Sequence, residues 1–334
     1  MPRESRTGAV RRVFPLVFSL VAAALVTGCA TGGYGDGEKP DGAMNKQEKI
    51  QKLQAMVPYD GYLEAHKGEQ SPLGLLGGPI QARVTQSGGG VFVALPDKRE
   101  LDPAVFGTPE MPRAFAGTPG ITGVPPMARG VKDGAYTRMK TPSPFGDQYA
   151  VMRGGELELE AVDATATDAA VTKDQVRLMA RWQDNQGNTY SVRCCAKLAT
   201  HGLEFPTFGG VMTNHILHGS SRIGTPLMPT EYTYLAFWGM GEVRKNGEVT
   251  DKPRLIHGML TEYVRTEGYE LGFDKDVTPT KRHFHLMVAP MKPVMGEGRF
   301  QHSAVKTGFT LPNGKELPFW HVMFGSLNIQ AERG

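Results

Sequence analysis

The chain is poor in cysteine, with three in 334 residues, and it has no Cys-x-x-Cys spacing. A disulfide framework is therefore excluded as an organising device, and no spacing supports a thiolate metal site or redox pair at Cys194 and Cys195, the alternative that Arg193 and Lys197 would favour. The commonest catalytic signatures are missing too. There is no Gly-x-Ser-x-Gly elbow, no phosphate loop of the Gly-Lys-Ser type and no His-Glu-x-x-His motif, which argues against a conventional hydrolase. Glu262, Glu267 and Asp274 carry acids, but nothing in their spacing pairs them for general acid–base work. A basic stripe is also lacking. Residues 1–28 hold four Arg and one Glu, a net +3 that equals the +3 of the whole chain, so the remainder is formally neutral and offers no nucleic-acid footprint.

What is present begins at the N-terminus. Arg3, Arg6, Arg11 and Arg12 form a basic region, Val13 to Val26 an apolar run too short for a comfortable membrane span, and Val26-Thr27-Gly28-Cys29 a small-residue close before a cysteine. This resembles a bacterial lipoprotein signal. The resemblance implies cleavage after residue 28, lipid on Cys29 and a membrane anchor there. Ala30, in place of the Asp that retains such proteins at the inner membrane, implies an outer-membrane address with the folded part in the periplasm or at the cell surface. Arg11-Arg12-Val13-Phe14 also resembles part of a twin-arginine export motif.

Four regions follow from composition and pattern: a signal at 1–28, a Gly-rich tether at 29–44, a mixed segment at 45–148 and a β-rich domain at 149–334. In the mixed segment, Asn45-Lys46-Gln47-Glu48 has capping-box spacing, and Ile50, Leu53 and Met56 recur at helical intervals before Pro58, predicting a short helix. Ile80 to Gln86 and Val91 to Leu95 read as strands joined by Ser87-Gly88-Gly89-Gly90, a hairpin pattern. Eight prolines between Asp102 and Gly146 rule out sustained ladder bonding, while Phe106, Phe115, Ile121 and Val124 give the stretch apolar residues with which to wrap the main domain.

Beyond Tyr149 the signals are of period two. Leu157, Leu159 and Ala161 alternate with acids; Val176, Leu178, Ala180 and Trp182 alternate with polar or flexible residues; Tyr232, Tyr234, Ala236, Trp238 and Met240 form a third one-faced set. Asp184 to Asn188, Lys245-Asn246-Gly247 and Pro312-Asn313-Gly314-Lys315 read as turns. The fold expected is mainly β, an antiparallel sandwich or barrel with a long Pro/Gly-rich irregular segment and a short N-terminal helix. In Tyr190 to Leu198, alternation puts Cys194 on the apolar face and Cys195 with Ser191, Arg193 and Lys197. One buried and one exposed thiol are expected rather than a vicinal disulfide.

Against that background one pattern stands out. His257-Gly258-Met259, His285-Leu286-Met287 and His321-Val322-Met323 repeat a His-x-Met triplet, and nine His and sixteen Met would give about 0.4 such triplets by chance. On strands, His257, Met259, His283, His285, Met287, His321 and Met323 would project from faces whose opposite sides are apolar. Imidazole with thioether suits a soft metal, copper first, over magnesium or calcium. The His-x-Met element resembles one arm of periplasmic copper chaperones, although their upstream Met is absent. His283-Phe284-His285 resembles a cupin metal pair, with Ala289 and Pro290 where that family needs Glu. His215 and His218 have zinc-chelating spacing but read as a loop, and His66, His201 and His302 read as solitary.

The expectation is a lipid-anchored envelope protein that binds copper for sequestration, delivery or electron transfer. The alternative is a non-catalytic assembly or surface-binding lipoprotein whose His and Met are merely packed, with an envelope partner of unknown kind. A copper-dependent enzyme would further need an open position beside a cleft. The deciding geometry is whether the three triplets lie side by side with one face in common.

Overall fold

The computed structural model describes residues 79–113, 124–165, 173–198, 209–221, 223–294 and 299–333, all within the unit Ala43–Gly334. The signal, Cys29, the tether, the short helix, Phe115, Ile121, His66 and His201 lie outside the described residues. The elements in chain order are β1 (Ile80–Ser87), β2 (Val91–Ala94), a single helical turn α1 (Pro103–Phe106), β3 (Arg129–Lys132), β4 (Ala135–Met139), β5 (Tyr149–Asp163), β6 (Gln175–Gln183), β7 (Thr189–Leu198) and β8 (Val211–Leu217). There follow β9 (Glu231–Lys245), β10 (Glu248–Tyr263), β11 (Thr278–Val288), β12 (Met291–Val294), β13 (Arg299–His302), β14 (Trp320–Phe324) and β15 (Asn328–Arg333).

The main sheet closes on itself. β5 pairs with β2, and the ladder continues through β14, β11, β10, β9, β7 and β6 back to β5, antiparallel throughout. The result is mainly β and barrel-like, as the alternating patterns lead one to expect, because strands with one apolar side can bury it by curling around a common interior. That interior is solid. Trp182 of β6 meets Trp320 of β14 edge-on at 5.0 Å across the ring, and Phe237, Phe284, Phe324, Leu260 and Val322 fill the space around them.

Gly258 explains itself in this core. It faces Phe237 on β9, and a Cβ built there would stand 2.8 Å from the Phe284 ring. Gly258→Val should lower stability by about 1–3 kcal/mol through overpacking, read as a reduced urea midpoint with an unchanged slope. An unshifted midpoint would mean that the two rings yield freely.

Three expectations are corrected. The Gly-rich stretch after β1 is not a hairpin: β1 and β2 both run antiparallel to β5, so the chain keeps its direction through a kink. Gly88 and Gly89 take φ of +84°, and the Gln86 amide donates to the carbonyls of Gly88 and Gly90, fastening the kink instead of reversing the strand. Second, Cys194 and Cys195 form a disulfide. Ladder bonding of β7 to β9 breaks between Arg193 and Lys197, so the pair escapes ordinary alternation, and Gly239 opposite leaves room for the sulfurs. Third, the set Tyr232 to Met240 does not share one face, because a bulge at Tyr234 splits it.

Residues 95–113 and 124–148 cover the outer face of the barrel. Leu101, Val105, Phe106, Val124, Tyr136, Met139 and Phe145 cluster there with Leu227, Met228, Val264 and Leu271. Segments this irregular cannot satisfy their carbonyls in a ladder, and buried guanidinium groups do so instead. Arg99 donates to the carbonyls of Leu227, Leu271 and Gly272; Arg129 to those of Val124, Phe106 and Arg113; Arg265 to those of Tyr269 and Gly146.

Candidate metal centre

The three His-x-Met strands lie side by side in the order β14, β11, β10, and register puts their outer-face residues in rows. Met323, His285 and Met259 are consecutive cross-strand partners, and so are His321, Met287 and His257. His283, Thr261, Thr233 and His215 form the next row, on β11, β10, β9 and β8. This face points away from the aromatic interior and is buried under residues of the irregular segment, such as Pro144 and Phe145, and under the neighbouring loops. His283, His285 and His321 are all at or below 3% exposed.

Glu231 joins the histidines because of a bulge. Leu260 pairs with Leu235, but the next residue of β10, Thr261, pairs with Thr233, which leaves Tyr234 as an extra residue. Without it Glu231 and Thr233 would share a side with Leu235 and Phe237, inside the barrel. With it they turn outward. The adjacent strand follows suit, since Asn214 of β8 stands opposite at φ +59° and its carboxamide oxygen accepts from the Tyr232 hydroxyl at 3.2 Å.

One nitrogen from each of His283 and His285 and one carboxylate oxygen of Glu231 all lie within 4.8 Å of one another. The hydrogen bonds around them fix which atoms are open. His321 Nδ1 lies 2.9 Å from the Pro144 carbonyl, which can only accept, so that nitrogen carries the proton and Nε2 is a lone pair. His285 Nδ1, 3.0 Å from that lone pair, must then be the donor. His285 Nε2 is left bare, buried and without a hydrogen-bond partner, while the Glu231 carboxyl has the Thr261 hydroxyl beside it and the His283 ring the Glu262 backbone. His218 follows β8 at φ +63°. Its Nδ1 accepts from the Thr225 N–H at 3.1 Å, so its Nε2–H faces Glu231 Oε1 at 3.8 Å.

Burial sets the protonation of the group. It pushes the Glu231 carboxyl well above the usual carboxylate range, with the Thr261 hydroxyl opposing it. Burial, with Arg265 and His321 adding to it, lowers His283 to about 3, and burial with His283 and His321 holds His285 well below the ordinary imidazole range. His321 and His257 are lowered by burial to about 4, against the pull of their carbonyl partners, and His218 by burial to about 3. The imidazoles are thus neutral at neutral pH, the form that ligates metal.

The seven residues singled out in the sequence do not all converge. His283 and His285 do, with their rings edge to face at 4.0 Å, and His321 holds His285 in its tautomer. His257 lies flat on Trp238 at 4.0 Å, its Nδ1 bonded to the Phe237 carbonyl. Met259 sits among Met212, Leu217, Ile223 and Ala236; the Met323 sulfur accepts from Arg265 at 3.4 Å; Met287 is half-buried between two apolar clusters. His215 belongs to a strand, not a loop, and His302 is exposed. Glu231 had no usable signal beyond being an acid at the head of a largely apolar run, Tyr232 to Met240.

Fold and site together define a barrel-like antiparallel β protein with a His/His/Glu group in its covered outer face that could hold a metal ion. No protein-family model, curated protein or solved structure matches the chain.

Proposed function

We propose that this chain is a lipid-anchored envelope protein that binds a transition metal, copper first, at Glu231, His283 and His285, for sequestration, delivery or electron transfer. The observation that carries the reading is that three buried side chains, one on β9 and two on β11, bring ligand atoms within 4.8 Å of one another. Buried polar groups left unpaired cost about 1–3 kcal/mol each, and one cation would satisfy all of them. Two neutral imidazoles and a carboxylate favour first-row divalent ions, with Cu(II) at the top of the affinity order. The hydrogen bond from His285 to His321, itself anchored on Pro144, is the support that orients a ligating imidazole. A lipid on Cys29 would place the site at the outer membrane.

The test is copper loading of the purified protein, anaerobically as Cu(I) and in air as Cu(II). A single ion per chain is expected, and His283→Ala/His285→Ala should take up none while keeping its circular dichroism. Equal, negligible uptake by both proteins would end the reading.

A further inference from the structure

A solvent-open cleft of about 540 Å³ runs along the end of the metal group, and His283 and Met323 form part of its wall. Its volume is in the range of sites for small molecules. Lys281 and Arg282 stand on one side, immediately before His283 on β11, and among the described residues no carboxylate lines the cleft. The Lys281 ammonium lies 5.7 Å from the Tyr263 ring centre and the Arg282 guanidinium 4.8 Å from that of Tyr234, so both cations are placed by aromatic faces. The facing wall is apolar, with Phe92 from β2 and Leu327 between β14 and β15. Phe92 is itself braced by Tyr149 at 5.0 Å and Tyr269 at 4.6 Å.

We infer that this cleft receives a small organic carboxylate, with its anionic head at Lys281, its apolar body against Phe92 and Leu327, and its bound position beside the His283 imidazole that the metal group shares. The two-sided lining selects the class: an inorganic anion would leave the apolar wall unused, and a neutral hydrocarbon the Lys281 ammonium. The cleft stands on its own geometry, while the coupling to a metal rests on the reading proposed above.

Benzoate is the probe and benzyl alcohol its uncharged counterpart, each titrated by calorimetry into the full chain with and without Cu(II), with the copper visible spectrum followed in parallel. Saturable binding of benzoate and not of benzyl alcohol is expected, with a shift of the copper band on binding. Lys281→Glu, at an exposed position, should weaken benzoate about tenfold or more, and Phe92→Ala should weaken it as well. Binding that neither substitution affects, or no binding in either form, overturns the inference and leaves the metal reading untouched. Failure of copper to load while benzoate still binds in a Lys281-dependent way sinks the metal reading and upholds the cleft.

Discussion

Asp251→Ala is expected to destabilise the protein by about 3–5 kcal/mol, the cost of stripping a buried ion pair of one partner. Asp251 and Arg254 are both nearly inaccessible. One oxygen of Asp251 accepts from Arg254 at Nε, 2.7 Å, and from the Lys306 N–H at 2.9 Å, while the other accepts from the Lys292 ammonium at 2.6 Å. Arg254 in turn donates to the carbonyls of Ser303 and Ala304, so the pair ties β10 to the β12–β13 ribbon and to the segment before β14. Removing the acid leaves a guanidinium facing carbonyls with no counter-charge. Burial alone would raise the Asp251 carboxyl, but the bonds from Arg254, Lys292 and Lys306 outweigh it and hold it below its usual range. A depressed carboxylate stabilises the fold above its unfolded value of about 3.9 and ceases to do so as pH falls through the folded one. The stability gap between wild type and Asp251→Ala should therefore be full at pH 7 and shrink below about pH 4. Urea midpoints across that range measure it; a gap independent of pH would show that the charge is immaterial.

The second large effect has opposite signs in two assays. Glu231→Leu replaces a fully buried acid, with only the Thr261 hydroxyl and the His218 ring beside its oxygens, by a hydrocarbon of similar size, so the metal-free protein should gain about 1–3 kcal/mol. The same change removes the only carboxylate of the His/His/Glu group, and metal affinity should fall at least about a hundredfold. A residue that costs stability and confers binding is the mark of a site as opposed to a core position. Thermal unfolding of the metal-free chains and competition titrations with a chromogenic chelator decide it. A loss of stability on Glu231→Leu would show that the carboxyl belongs to a structural network and would remove the main support for the centre.

The barrel was legible in the sequence because alternation survives in most strands: Leu157, Leu159 and Ala161 on β5 and Val176 to Trp182 on β6 all turn their apolar side inward. Asn246 and Gly247, both at positive φ, make the tight turn that their identities call for. The rows of His and Met followed from the same period of two. What escaped is whatever depends on a break in that period. The glycines after β1 carry the residue types of a reversal but make a kink, and only the common partner β5 reveals the difference. Cys194 and Cys195 looked opposed because the interruption of their ladder leaves no trace in residue type. Glu231 was missed for the same reason, since Tyr232, Tyr234, Ala236, Trp238 and Met240 alternate without fault on paper. Tertiary pairing, not local preference, decides where a strand takes up an extra residue.

The matched irregularity at Asn214 and Tyr234 has a bearing on how this protein can vary. Upstream of Tyr234 and downstream of Asn214, the assignment of residues to core or to histidine layer is inverted in two neighbouring strands at once. Deleting Tyr234 alone would leave Glu231 among the aromatic rings, and deleting Asn214 alone would turn either His215 into the core or Val211 out of it. Viable length changes within these two strands must come two at a time, so the spacing from Val211 to His215 and from Glu231 to Trp238 can drift in residue type far more readily than in residue count.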